Sequence, residues 1–187
     1  MKIFAINVAN DCQCVLPGEG VPPITELGFN EHRLLDGWKT YQYDFFESAK
    51  KKKSKKPDMW VVSGSGLALR ADLKEKVFPT SNENLEFLPI RVSSEDWYIV
   101  NCLRTTDAID DEASVMYRGL EGQIFMIVRI VVADPSLERS ELFVLDGSNR
   151  STLLTLPFFV ERVASLGIGG ITFREIGELN AGQSTLA

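Results

Sequence analysis

Histidine is almost absent from this chain of 187 residues: His32 is the only one. A Ser–His–Asp or Cys–His device would have to rest on His32, and no serine or cysteine stands in a motif that pairs with it. Cysteine is scarce as well, at three, an odd number that fits a reducing compartment better than a disulfide framework. Cys12 and Cys14 lie two apart and can share one face of an extended segment. No second Cys or His pair stands nearby to complete a zinc ligand set, so free thiols are the reading. Long apolar runs are missing too, none approaching the ~20 residues that span a bilayer. The N-terminus turns polar at Asn7 and Asn10, too soon for a signal peptide. The expectation is a cytoplasmic protein with no membrane role and no cofactor, built as one domain with a real core.

Charge is present but unevenly placed. Lys50 to Lys53, Lys55 and Lys56 supply six of the twenty basic residues; without them the balance against 26 acids is 14 − 26 = −12. Phosphate binding needs concentrated Lys and Arg, so the body of the chain argues against nucleic acid as a partner. It suits a basic protein, through steering and charge complementarity. No aromatic residues interleave with the lysines, and like charges in a row ending at Pro57 read as an exposed linker.

The first 56 residues read as loosely organised: a strand over Ile3 to Val8, a Pro/Gly loop at Pro17 to Pro23, weak helical spacing over Ile24 to Leu35, and partial alternation over Lys39 to Phe46. From Pro57 the pattern sharpens. Met59 to Ser63 is a short apolar strand; Ser63-Gly64-Ser65-Gly66 then offers caps, and Leu69, Leu73 and Val77 recur at helical spacing up to Pro79. Leu85 to Val92 follows as a strand. Near the C-terminus the order recurs, with a strand at Leu153-Leu154, a helix capped by Thr155 with Pro157 in its first turn, glycines at 167, 169 and 170, and a strand over Ile171 to Ile176. Two strand–helix–strand units, around 59–92 and 151–176, are what an internal duplication would produce.

Between them, Trp97 to Arg104 is apolar on both faces and should lie centrally in a sheet. Gln123 to Val132 is nearly continuous in apolar residues. It reads as a second central strand, with Ile124, Met126, Val128, Ile130 and Val132 facing the core and Arg129 opposite, paired to Asp107 or Asp110. Asp146-Gly147-Ser148-Asn149 suits a hairpin between Glu141–Leu145 and Ser151–Leu154. The expected fold class is α+β, a mixed or antiparallel central sheet with the two units attached. The expected organisation is an irregular segment over 1–56, an α+β core over 57–178 and a flexible tail over 179–187.

Motifs for chemistry fail on inspection. Gly64-Ser65-Gly66 has Leu69 where a dinucleotide fingerprint wants Gly or Ala, and Ser65 lacks the flanking glycines of a nucleophile elbow. Asn149-Arg150-Ser151 fits a glycosylation acceptor that a cytoplasmic chain would not use. Asp107, Asp110, Asp111 and Glu112 form the one carboxylate cluster with the chemistry to hold Mg²⁺ or Ca²⁺, without EF-hand spacing or a nearby Lys or His. They belong to a stretch, Glu95 to Glu121, with seven acids against two arginines. The competing reading of the same four residues is a protein-binding loop.

Several motifs in order carry a resemblance. Gly37-Trp38-Lys39, the lysine-rich stretch and Lys56-Pro57-Asp58 are followed by Asp96-Trp97-Tyr98-Ile99-Val100-Asn101-Cys102-Leu103-Arg104. Then come Asp107-Ala108-Ile109-Asp110 and Ser114, and finally Phe158-Phe159, Gly167, Gly170 and Phe173. From about Leu35 to Ile176 the chain resembles immunity protein family eleven of bacterial polymorphic-toxin systems. The resemblance implies a non-enzymatic antidote that binds a cognate secreted toxin, with a nuclease among the candidates. It supplies no catalytic residues; Asn101, Asp107 and Asp110 match its motif and are read as structural first and partner-contacting second. Candidate toxin-binding residues are Asp107, Asp110, Asp111 and Glu112. A metal-dependent enzyme built on that cluster, and a scaffold or regulator unrelated to toxins, remain the alternatives.

Overall fold

The computed structural model describes residues 1–23, 26–29, 32–46, 55–62, 66–80, 82–120, 122–148 and 152–180. In chain order the strands and helices are β1 (Lys2–Val8), β2 (Cys14–Pro17), β3 (Tyr41–Phe46), β4 (Met59–Val62), β5 (Gly66–Arg70), α1 (Lys74–Val77), β6 (Leu85–Val92) and β7 (Glu95–Cys102). There follow β8 (Thr105–Thr106), β9 (Val115–Arg118), β10 (Ile124–Val132), β11 (Val144–Leu145), β12 (Leu154–Thr155), α2 (Pro157–Ser165) and β13 (Ile171–Leu179). A six-stranded sheet runs β2-β3-β6-β7-β5-β4, a five-stranded sheet runs β12-β1-β13-β10-β9, and β11 and β8 form a small pair. The protein is mainly β: two curled sheets, one a near-closed barrel and the other a half-barrel, with two short α-helices among the described residues.

This corrects the α+β expectation, and the error lies at residues 66–77. Leu69, Leu73 and Val77 have helical spacing, yet Gly66–Arg70 is a strand paired antiparallel to β4 on one side and β7 on the other. Leu67, Ala68 and Leu69 are all fully buried. A strand covered on both faces loses the alternation that distinguishes it from a helix, and two lateral neighbours satisfy its backbone better than a marginal helix would. Helical turns begin only at Ala71, where a 3-10 turn over Ala71–Leu73 runs into α1. The first strand–helix–strand unit is therefore a hairpin with a one-turn helix, and the proposed duplication falls with it. The second unit does have a helix between strands, β12, α2 and β13, although Leu156 caps α2 and the Thr155 hydroxyl donates instead to the Glu141 carbonyl at 2.5 Å.

β7 lies between β6 and β5 and is apolar on both faces for a visible reason. Trp97 and Ile99 pack into one cluster with Trp60, Leu88 and Ile90, while Val100 and Cys102 face another with Met59, Leu67 and Phe159. Asn101, on the Trp97 face, is fully buried and donates to Glu86 Oε2 at 2.9 Å and to the His32 carbonyl at 3.0 Å. Glu86 accepts in addition from the Leu34 and Leu35 amides, so this buried polar pair staples the 32–37 segment to the sheet.

The N-terminal residues are integral to the sheets. β1 sits between β12 and β13, while β2 and β3 extend the six-stranded sheet. Lys50 to Lys53 lie outside the described residues. Lys55 is bridged to Cys12, and Lys56 pairs with Glu95 at 3.0 Å while its ammonium stands 4.8 Å above the Phe45 ring. Two glycines let the elements meet. A side chain at Gly170 would collide with the Met59 carbonyl, and one at Gly177 with the Ile130 carbonyl, where β13 runs beside β10.

Candidate protein-docking surface

β13 pairs with β10 only along Ile130–Val132, which are buried. Over its first half β10 instead pairs with β9, giving a two-stranded ribbon at the edge of the five-stranded sheet. The ladder slips twice, between Ile124 and Met126 and between Ile127 and Arg129. Each slip sets two residues of β10 against one of β9, which re-aims side chains. Phe125 and Met126 thus face Tyr117, and Val128 and Arg129 face Val115. Ile124 is buried, and Met116 and Ile127 are partly buried against the same cluster. The other face carries Phe125 at 65% exposure, Val128 at 54% and Met126 at 47%, with Leu120 fully exposed at the tip. The Tyr117 and Phe125 rings lie 6.3 Å apart.

The expectation that Met126 and Val128 join Ile124, Ile130 and Val132 on a core face is thereby corrected. Strict alternation does not survive two bulges. Arg129 does find a carboxylate, but it is Glu178 at 2.5 Å rather than Asp107 or Asp110.

The four carboxylates predicted as a site share the loop that leads into this ribbon, and they divide by role. The loop is strapped along the end of β10: Asp110 N–H donates to the Val131 carbonyl and Ala133 N–H to the Ala108 carbonyl. Asp110 turns inward, accepting from Ala113 N–H at 3.0 Å, and Ser114 Oγ accepts from Val131 N–H at 2.9 Å. Asp111 pairs with Arg118 at 2.8 Å. Asp107 and Glu112 are exposed, and neither forms an ion pair among the described residues. The same residues contain no group of three His, Cys, Asp or Glu side chains able to hold a metal ion. What the loop offers is negative charge on a rigid support beside an apolar face.

Elsewhere the main charged groove is internally paired. A groove of about 600 Å³ between Lys56 and Asp96 is rich in charge, but Arg70 pairs with Asp58 and Asp72, Lys56 with Glu95, and Arg91 with Asp96. Hydrogen bonds from Arg70 hold the Asp72 carboxyl below the usual range. Burial, with Asp11 beside it, pushes the Cys12 thiol up, the opposite of what a nucleophilic thiolate needs. His32 is exposed, and it is its carbonyl that meets Asn101. No helix among the described residues is long and apolar enough to cross a membrane.

Sequence reasoning found the acidic loop and missed the ribbon. Val115, Tyr117, Phe125, Met126 and Val128 have core-like identities, and no local signal separates a strand that is covered from one that projects. The chain matches no protein-family model and no curated protein.

Proposed function

We propose that this protein is a cytoplasmic immunity protein, which binds a cognate secreted bacterial toxin and neutralises it without chemistry. The reading starts from the order of motifs along the chain, since no family model carries it. The observation that supports it best is the pairing of free carboxylates, Asp107 and Glu112, with an adjoining exposed apolar ribbon. An apolar centre with a charged rim is the anatomy of a protein interface, and acids at the rim speed encounter with a basic partner. A toxin that acts on nucleic acid needs a basic groove for phosphates, which an acidic loop can occupy in place of substrate.

The test is to search the neighbouring genes for a secreted protein with a toxin domain and to follow growth of cells expressing that domain, with and without this protein. Rescue by the wild type is expected; no rescue and no binding would overturn the reading. Replacing Asp107, Asp111 and Glu112 with Ser should lower the association rate about tenfold at low salt and much less at high salt. Asp110 is left intact, because its carboxylate caps the turn.

A further inference from the structure

The exposed apolar face is as large as a soluble monomer ordinarily leaves uncovered. At half exposure a large apolar or aromatic side chain presents on the order of 100 Å². Six of them (Val115, Tyr117, Leu120, Phe125, Met126 and Val128) are 47% exposed or more and sit on one ribbon. Their sum, about 600 Å², is at the upper end of what an ordinary monomer leaves uncovered and most of the ~800 Å² that each side of a standard interface buries. The two bulges are what place Phe125 and Val128 there. Without them, alternation would turn one residue of each adjacent pair inward.

We infer that the outer face of the β9–β10 ribbon is the energetic centre of the partner interface, and that it fits a basic protein with an apolar slot rimmed by Lys or Arg. The inference rests on the immunity reading and adds a division of labour to it: the apolar face holds the complex and the acidic loop steers it. Charge selects the occupant. Asp107, Asp111 and Glu112 border the ribbon on a body that carries −12 outside its lysine run, so a second copy would bring acid against acid. β9 also has an open edge, since it ends the sheet, and an extended segment of the partner can pair along it.

The experiment uses the toxin domain identified by the growth test and follows surface-plasmon-resonance kinetics with wild type, Tyr117→Ser/Phe125→Ser and Leu120→Asp. Dissociation should accelerate about 100-fold or more in the double variant, with association changed less than threefold. Leu120→Asp should weaken binding in the same manner, and because Leu120 is fully exposed it keeps the test valid if the double variant unfolds. Sedimentation of the protein alone should give a monomer. Binding by wild type with unchanged dissociation in both variants overturns the ribbon assignment and leaves the immunity reading standing. No binding by wild type overturns both. A dimer that Leu120→Asp dissociates overturns the choice of occupant, because a second copy then covers the face.

Discussion

Replacing Glu86 with Gln preserves shape and exchanges one carboxylate oxygen for an amide nitrogen, which makes the buried staple a clean test of how this sheet holds its N-terminal segment. Glu86 is 4% exposed; its Oε2 accepts from Leu34 N–H at 2.8 Å and from Asn101 Nδ2 at 2.9 Å, and its Oε1 from Leu35 N–H at 3.0 Å. All three partners are donors. In Glu86→Gln, if the remaining oxygen takes the Oε2 position, Leu35 N–H faces an NH₂ group and loses its acceptor. Two charge-assisted bonds become neutral ones, about 1 kcal/mol each, and the stranded donor adds about 1 kcal/mol because Leu35 lies near water. The expected loss is about 3 kcal/mol. With a urea slope of about 2–3 kcal/mol/M, the unfolding midpoint should fall by about 1 M. Hydrogen exchange should show the Leu34 and Leu35 amides losing protection before the β6 and β7 amides do. A midpoint within about 0.3 M of wild type at unchanged slope would refute the reasoning, since it would mean the carboxylate adds nothing beyond an amide.

Further expectations follow from contacts of the same kind. Gly177→Ala puts a methyl group into the Ile130 carbonyl and forces β13 off β10, so it should cost about 3 kcal/mol or more by thermal melting. Gly147→Ala is the control: it meets nothing within 4 Å, has a φ of +72°, and should cost only about 1–2 kcal/mol. The hydrogen bond from Lys56 holds the Glu95 carboxyl below its ordinary value against the opposing effect of burial, with Trp97 Nε1 as a second donor. A carboxylate lowered in the folded state adds stability above its unfolded-state value, and that share is lost as pH falls through the folded-state value. Urea midpoints from neutral pH down to about pH 3 should therefore decline less steeply in Glu95→Gln than in wild type.

The fold was legible wherever a residue's surroundings leave a local trace. Trp97 to Arg104, read as a strand covered on both faces, is β7 as far as Cys102, where the strand ends. Proline at 157 and the glycines at 167 and 170 marked the start and end of α2, because backbone stereochemistry acts on the residue itself. The acidic loop was legible as composition. Its internal division was not: the loop that aims the Asp110 carboxylate at the Ala113 amide is held in shape by the Asp110 N–H bond to the Val131 carbonyl on β10.

By itself, then, the sequence determined the apolar strands, the C-terminal helix, the scarcity of catalytic groups and the acidic stretch, all of them properties of neighbours along the chain. Tertiary structure alone decided that Gly66–Arg70 is a strand, because its identity depends on hydrogen bonds to β4 and β7, ten or fewer residues away on one side and about thirty on the other. It alone decided that β10 is core at Ile130–Val132 and exposes Phe125, Met126 and Val128, because β10 joins β13 in the sheet only along its last residues. Periodicity records which residues share a face; what stands opposite that face is a contact between distant segments, and no local pattern encodes it.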